Sequence, residues 1–378
     1  MHTRSRLFTA VLAAVAAIWG VAAPASAQQW ADRFTIHGSL TDGYGKADGE
    51  QYFGISREGT AKYHALALQL GYMIASQDRV VVQLLNRQIG DSPLMSLEPS
   101  VAPVWAFYEH RAGGWTFKVG RNPLPRGLFN EVRFIGTLLP FYRVGKDVYG
   151  ETLENIDGLV VSRRFNVGAW GIDANAFTGN FGIKALLPQA SSVLAYHAKA
   201  GNSMGASVIV RTPVPGVRVG AFVDDYAKLP KSSGDRSRTF LYSFDGDWSR
   251  GWVRSEYTTF QDRQYSKPNY AAWYGQAGIK ISEKWQVAAE HGDGKFTVDL
   301  PQPFVSADIP FSAYNGVALN FSPMSALRLK LEYNKQQGYI FDNVVPIFTG
   351  PTSMNPPVMG VAPKSKSNYM IASVAVTF

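Results

Sequence analysis

The chain has 378 residues, 46% of them hydrophobic and 13% aromatic, and it contains no cysteine. The lack of Cys excludes disulfides, thiolate metal sites and a lipid anchor on a cysteine. Lys and Arg number 37 against 29 Asp and Glu, a net charge of +8, but these charges are scattered. A nucleic-acid-binding protein concentrates basic residues on one face or tail, so no nucleic-acid partner is expected.

The N-terminus has the pattern of a cleaved secretory signal. Two arginines precede an apolar run from Leu7 to Val21, and Ala25-Ser26-Ala27 is a small-residue cleavage site. The run is short for a transmembrane helix, so residues 1–27 are predicted to be a signal peptide and residues 28–378 the exported protein. Without the two arginines, the remaining 35 basic residues against 29 acidic ones give a net charge of about +6.

The exported part contains repeated segments of about ten residues in which apolar and polar side chains alternate between turn residues. This pattern is typical of transmembrane β-barrel strands, which turn one face to lipid and the other to the lumen. No apolar run approaches the roughly 18 residues of a helical span. In chain order, the first strands are predicted at 34–40, 63–74, 79–87, 104–111, 115–121, 156–165 and 167–178.

Short turns alternate with long loops along the rest of the chain, and this alternation marks the two sides of a membrane. Counts from the two ends agree if residues 180–203 form one long outer loop, which gives about 16 strands. Strands within 181–188 and 193–199 would instead give about 18. We predict an all-β fold, a single antiparallel transmembrane β-barrel of 16 strands with 18 as the alternative, and this size favours a water-filled pore.

The last eleven residues, from Asn368 to Phe378, form an uncharged strand in which Met370, Val374, Val376 and Phe378 share one face. An exposed hydrophobic edge strand promotes aggregation, whereas a closed barrel pairs its last strand with its first. This ending resembles that of outer-membrane barrels of Gram-negative bacteria. The resemblance implies that Phe378 is an assembly signal for the barrel-assembly machinery, and that the protein contacts outer-membrane lipid and lipopolysaccharide.

The third outer loop, residues 122–155, carries alternating charges. Its basic residues, with the one just before it, are Arg121, Arg126, Arg133, Arg143 and Lys146, and its acidic residues are Glu131, Asp147, Glu151 and Glu154. In general porins the loop at this position folds into the lumen, so resemblance to them implies a constriction here, and also a homotrimer.

The run Gly120-Arg-Asn-Pro-Leu-Pro-Arg-Gly127, followed by Glu131, Arg133 and Arg143, is similar to that of the phosphate-selective porin O and P family. Gly136-Thr137 replaces an acidic-basic pair expected there. The predicted constriction and solute-binding residues are Arg121, Arg126, Arg133, Arg143 and Glu131. Alternatively, the arginines pair with nearby carboxylates and fix the loop.

Basic residues on the predicted strands have polar or small i±2 neighbours and are predicted to face the lumen. They include Arg79, Arg87, Lys118, Arg164, Arg218, Arg328 and Lys330. Their slight excess predicts a channel for passive diffusion of small hydrophilic solutes, with mild preference for phosphate or other small anions. A balanced wall that only keeps the lumen wet is the alternative.

Other functions are weighed against the channel. No H-E-x-x-H motif occurs, and Asp224 and Asp225 are adjacent strand residues that point to opposite faces, so a barrel enzyme of protease or lipase type is the less favoured alternative. A receptor or scaffold barrel with an occluded lumen is another. Residues 337–367 are apolar for an outer loop and are predicted to lie in the mouth or against a neighbouring subunit. No cofactor or metal site is predicted.

Overall fold

The computed structural model describes residues 32–151, 153–188, 193–229, 236–263, 268–298, 307–339, 341–342 and 364–378. Apart from a 3₁₀ helix at Pro93–Leu97 and a short helix α1 at Lys146–Tyr149, the regular elements are strands. They are β1 Phe34–Ala47, β2 Thr60–Ala75, β3 Asp78–Ile89, β4 Ala102–Ala112, β5 Trp115–Pro123, β6 Asn155–Val167, β7 Trp170–Pro188, β8 Val193–Arg211, β9 Val217–Leu229, β10 Arg236–Asp247, β11 Gly251–Asp262, β12 Tyr270–Lys280, β13 Trp285–Val298, β14 Ala307–Met324, β15 Leu327–Gly338 and β16 Ser365–Thr377. Within the described ranges no helix is long and apolar enough to cross a membrane.

These sixteen strands form one closed antiparallel barrel in which each strand pairs with the next along the chain and β1 pairs with β16. At the seam, Leu40 lies opposite Val376. Gly38 and Phe378 exchange two backbone hydrogen bonds of 2.9 and 3.0 Å. The predicted fold class and the count of 16 strands are confirmed. The predicted signal peptide, residues 1–27, lies outside the described residues.

The barrel wall has the inside-out polarity that a lipid environment requires. On the outward face Val119, Val253 and Leu331 each expose more than 40% of their surface. On the inward face Glu109 and Glu256 are almost fully buried. In a water-soluble protein the apolar face would be the covered one, so this alternation is characteristic of barrels whose outer surface contacts hydrocarbon.

One predicted loop is instead regular structure. Residues 180–203, expected to be a long outer loop, mostly continue β7 and β8, which pair from Gly171 with Arg211 to Pro188 with Val193. A 19-residue strand measures roughly 60 Å, about twice the thickness of the membrane core. The tall hairpin therefore adds no strand to the count, because its upper half extends the same two strands beyond the membrane.

The first outer loop is also shorter than predicted, because residues 42–47 belong to β1 and pair with β16. The last outer loop, residues 337–367, lies mostly outside the described residues. Within its described part, Phe341 is buried with its ring 5.5 Å from that of Tyr52. The hydroxyl of Ser92 donates a 3.0 Å hydrogen bond to Asp342. The start of this loop therefore lies against the first and second outer loops.

Candidate functional site

The third outer loop connects β5 to β6 and is called loop 3 here (residues 124–154, with 152 outside the described residues). Hydrogen bonds join the backbone of loop 3 to side chains on the inward face of β15. The amide of Tyr142 donates to Glu332 at 2.6 Å, and the ammonium of Lys330 donates to the carbonyl of Phe141 at 3.1 Å. Loop 3 therefore reaches a strand almost 200 residues away in sequence, across the inside of the barrel.

A second set of contacts binds loop 3 to β1 and β16. The hydroxyl of Ser39 donates to the carbonyl of Phe134 at 3.0 Å. Gly136 lies so close to the wall that a Cβ there would be 2.1 Å from Thr41 Oγ1 and 2.8 Å from Ala375 Cβ. A Cβ at this position would force the loop or the wall to shift, so this close approach favours glycine.

Apolar side chains add to these polar contacts. Loop 3 and the inward wall form one buried cluster, so the lumen at this height is occupied by a packed insert rather than by water alone. The loop contributes Leu124, Phe129, Leu139, Val148 and Tyr149, and the wall contributes Ile156, Phe177, Phe222, Tyr226, Leu241 and Tyr274.

Arg87 of β3 is the centre of a buried ion-pair network. Its guanidinium lies 2.5 Å from Glu98 of the second outer loop and 2.9 Å from both Glu151 and Glu154 of loop 3. All four side chains are about nine-tenths buried. Because a buried charge without a partner is costly, this network fixes two loops to one strand. Arg87, predicted as a lumen-wall residue, thus has a structural role.

Arg133 and Arg143 also pair within loop 3. Arg133 donates to the carbonyl of Gly150 at 2.5 Å and lies 3.9 Å from Glu154. Arg143 forms an ion pair with Glu151, and its guanidinium lies 3.9 Å from the centre of the Phe53 ring. Burial lowers the pKa of Arg133 to about 10, so it remains a cation at neutral pH. For these two arginines the structure places a carboxylate within reach.

Burial alone would raise the pKa of Glu154, but Arg87, Arg133 and Lys184 outweigh it and lower the pKa to about 2. The carboxylate is therefore ionised at any physiological pH. The lowered pKa means that ionised Glu154 stabilises the folded state, in which it pairs with Arg87 of the wall.

Arg121 lies elsewhere. It shares the outward face of β5 with Phe117 and Val119, which are exposed. Its guanidinium forms a two-pronged ion pair with Asp157 on β6, at 2.6 and 2.8 Å. The sequence interpretation grouped Arg121 with the constriction, but the register of β5 turns its side chain away from the lumen.

Arg126 differs from the other three arginines. It is only 3% exposed, its Nη2 donates to the carbonyl of Val148, and its guanidinium lies 5.3 Å from the centre of the Tyr149 ring. No carboxylate lies within ion-pair distance among the described residues, and its Nε and Nη1 have no hydrogen-bond partner there. Burial lowers the pKa of Arg126. It is a desolvated cation with two spare donors.

Two cavities lie on either side of this arginine. The inner one, of about 890 Å³, opens beside the short turns at Ser76 and Gly113. Its charged lining has more basic than acidic residues. These are Arg111, Lys118, Arg126 and Arg164 against Glu131 and Asp173, while Arg163 at its border lies over Trp115 on the outward face. Glu131, predicted as a constriction residue, is exposed on this cavity.

The outer cavity, of about 550 Å³, lies between loop 3 and the wall formed by strands β7 to β14. Aromatic and aliphatic side chains dominate its lining, including Tyr149, Tyr226, Phe260, Tyr270 and Phe311. Arg126 is the one described residue that contributes to both cavities. Sequence reasoning missed the outer cavity, because its residues come from many strands and none of them forms a motif.

The predicted lumen-wall residues all lie on the inward-facing positions of their strands. Arg79 pairs with Glu109 at 2.8 Å, and Arg218 pairs with Asp245 at 2.7 Å. Arg164 pairs with Asp173. Lys118, Arg328 and Lys330 contact an aromatic ring or backbone carbonyls instead. Most wall charge is therefore neutralised locally.

Asp224 and Asp225, the adjacent acidic pair, point to opposite sides of β9. Asp224 accepts a 2.6 Å hydrogen bond from Ser203 inside the barrel. Asp225 pairs with arginines on the other face, among them Arg238 at 3.2 Å. The two carboxylates cannot act on one water molecule from these positions. The described residues also contain no cluster of His, Asp and Glu that could hold a metal ion.

No protein family and no curated protein matches the sequence. The resemblance to the phosphate-selective porin O and P family therefore remains a prediction.

Solved structures do match the fold. They include OmpF of Salmonella typhi in complex with daunomycin (TM-score 0.58, 11% identity, 91% of this chain and 97% of the other). The outer-membrane channel DcaP of Acinetobacter baumannii (0.54, 10%, 91% and 97%) and the anion-selective porin of Comamonas acidovorans (0.52, 8%, 91% and 99%) are also similar. At these identities the likeness concerns the fold.

Proposed function

We propose that this protein is a porin of the outer membrane of a Gram-negative bacterium, through which small hydrophilic solutes diffuse passively. The observation that carries the proposal is the inside-out polarity of a closed sixteen-stranded barrel whose lumen holds two cavities beside an inserted loop. The apolar belt faces lipid, and the polar lumen, narrowed by loop 3, is the path. The protein acts as a channel and not as an enzyme.

We further propose a mild preference for anions. Its support is the basic excess of the inner cavity and the unpaired cation Arg126 beside both cavities. Fixed cations in a narrow, partly desolvated passage raise the local anion concentration. A phosphate-sized anion remains the candidate that the sequence resemblance suggests. The arginines of loop 3 have different roles: Arg133 and Arg143 fix the loop through ion pairs, and Arg126 contacts the solute.

The proposed assembly is a homotrimer that contacts lipid and lipopolysaccharide on its outward face. One solved structure of similar fold, from Vibrio cholerae, is described as a trimer form (TM-score 0.51, 10% identity). Chemical cross-linking of membranes before solubilisation would test the trimer.

The test of the channel is the conductance of the purified protein in a planar bilayer, with the reversal potential measured under a KCl gradient. We expect stable conductance and a reversal potential of the sign that chloride preference gives. Arg126→Gln should shift the reversal potential toward cation preference. Arg121→Gln is the matched control, since it removes the same charge from the outward face. A folded barrel without conductance would contradict the channel. Equal shifts of the reversal potential in the two variants would contradict the role of Arg126.

A further inference from the structure

The surface of the outer cavity is more apolar than expected for a passage that carries only ions and sugars. Two pairs of aromatic rings form much of it: Tyr226 with Phe260, at 6.3 Å between centres, and Tyr270 with Phe311, at 5.4 Å. Lumens of general porins are polar. A concave, mostly apolar cavity of several hundred Å³ with a few placed polar groups is the usual form of a binding site for a small organic molecule.

The polar group placed there is a buried cation. Arg126 contributes to the cavity, lies over the ring of Tyr149 and keeps Nε and Nη1 without a hydrogen-bond partner among the described residues. A buried donor that is left unsatisfied costs free energy, which a bound acceptor recovers. A carboxylate is the acceptor that also neutralises the charge of a guanidinium, and hydrogen bonds between charged groups are stronger than those between neutral ones.

Two lysines at this cavity already have partners, whereas a third, Lys199, is exposed. Lys146 contacts the hydroxyl of Tyr369 and lies 4.0 Å from Glu290. Lys184 pairs with Glu98 at 2.6 Å. Burial raises the pKa of Asp147 to about 6, so this carboxylate is still mostly ionised at pH 7. Among the buried cations of the cavity, Arg126 is therefore the one without a carboxylate partner in the described part of the chain.

We propose that the outer cavity is a binding site for a small organic carboxylate with an apolar, ring-sized body. The body lies between the aromatic pairs, and the carboxylate pairs with the positive charge of the Arg126 guanidinium. The basic inner cavity on the other side of Arg126 then receives the anion after release. This inference deepens the proposed function, because it names a class of solute for the channel.

Benzoate is the probe, with acetate and benzyl alcohol as analogues that lack the ring or the charge. Binding to the detergent-solubilised full chain is measured by calorimetry, and block of the chloride current is measured in bilayers. We expect benzoate to bind at least about tenfold more tightly than acetate, because its ring is removed from water. Benzyl alcohol should bind more weakly than benzoate, because it cannot pair with the guanidinium.

Two variants separate the charge from the apolar surface. Arg126→Gln should weaken benzoate binding about tenfold or more, while the outward control Arg121→Gln should leave it unchanged. Phe260→Ala should weaken the binding of benzoate but not that of acetate. Rescue of benzoate binding by Phe260→Leu would indicate that apolar surface is what the ring supplies.

The outcomes separate the two proposals. Chloride conductance with equal, weak binding of benzoate and acetate would overturn the organic-anion site and leave the channel standing. Benzoate binding in calorimetry with no conductance would support the site and overturn the channel. Benzoate binding that survives Arg126→Gln unchanged would overturn the assignment of Arg126.

Discussion

At the scale of single residues, the four loop arginines that look equivalent in the sequence have three different environments. Arg133 and Arg143 have a carboxylate of loop 3 beside them, Arg121 pairs with Asp157 on the outward face, and Arg126 is buried without an ion pair among the described residues. Their environments differ because strand register and long-range folding decide which carboxylate each one meets. The chemistry of a charged residue here depends on its partner more than on its type.

Glu154 offers a test of the loop network. Because its folded pKa, about 2, lies below its ordinary value of 4.5, its stabilising contribution is present above pH 4.5. It is lost as the pH falls from about 4.5 to about 2. Glu154→Gln should therefore lower the free energy of unfolding at pH 7 by about 3 kcal/mol and should reduce the acid sensitivity in that window.

The measurement is chemical unfolding of the detergent-folded protein at pH 7 and at pH 3. Asp157→Asn is the control, because it breaks an exposed ion pair and should change stability by no more than about 1 kcal/mol. Equal losses in the two variants at pH 7 would contradict the structural role of the Arg87 network.

The sequence allowed the loop and its charged residues to be predicted, but not their individual roles. Arg126 and Glu131 line the inner cavity, and the loop lies between β5 and β6 as expected. The carboxylate of Asp157, which separates Arg121 from the other three arginines, lies on β6. A single sequence contains no information on that proximity, since strands that are distant in sequence must first be aligned.

At the scale of elements, β7 and β8 explain why one loop was predicted where strands occur. Both strands contain irregularities at the membrane edge, between Gly179 and Phe181 and between Gly201 and Met204. A β-bulge shifts the side-chain alternation by one residue, so a pattern with a period of two breaks although the strand continues. The break resembles the end of a strand, so the extension of β7 and β8 could not be recognised from the sequence pattern.

Loop 3 is positioned by close contact as well as by charge, and Gly136 tests this. Gly136→Ala would place a methyl group against Thr41 and Ala375, so we expect the loop to move off this wall. The expected result is an increased and noisier single-channel conductance, because the insert no longer fills the same part of the lumen.

A compensated variant serves as the control for this change. Gly136→Ala combined with Thr41→Ala and Ala375→Gly removes the two atoms that lie nearest to the new methyl group. It should restore conductance toward that of the unmodified protein. If the single variant already conducts normally, the contact at Gly136 does not set the position of the loop.

At the scale of the whole molecule, turn chemistry and parity were enough to predict the barrel. A closed barrel with both termini on one side needs an even number of strands, and the short turns of the sequence mark every second connection. This count survives errors in individual loops, as the tall hairpin illustrates. The lumen contents were less predictable, since the buried cluster of loop 3 with the wall joins residues from Leu124 to Tyr314.

The barrel seam gives a prediction about assembly. Deleting Phe378 removes both hydrogen bonds to Gly38 and the ring that lies against this glycine. We expect a marked loss of folded protein in the outer membrane, measured as the heat-modifiable band in cell envelopes. Refolding of the purified variant in detergent should be affected less, because it does not depend on recognition of the terminal residue.

Phe378→Tyr retains an aromatic end and is the control for this deletion. Its yield in the membrane should stay near that of the unmodified chain. If the deletion lowers membrane yield and detergent refolding to the same extent, the terminal residue contributes to stability alone and is not an assembly signal.

The contacts that position loop 3 also constrain the order of folding. The loop contacts Ser39 in the first strand, Glu332 in the fifteenth and Ala375 in the last, so this part of its binding surface is complete only after β1 and β16 have paired. Contacts of such large sequence separation form late, since the chain must first close the loops between them. During formation of the barrel, loop 3 can therefore pack only against β6 to β14, and we expect it to reach its final position when the seam closes.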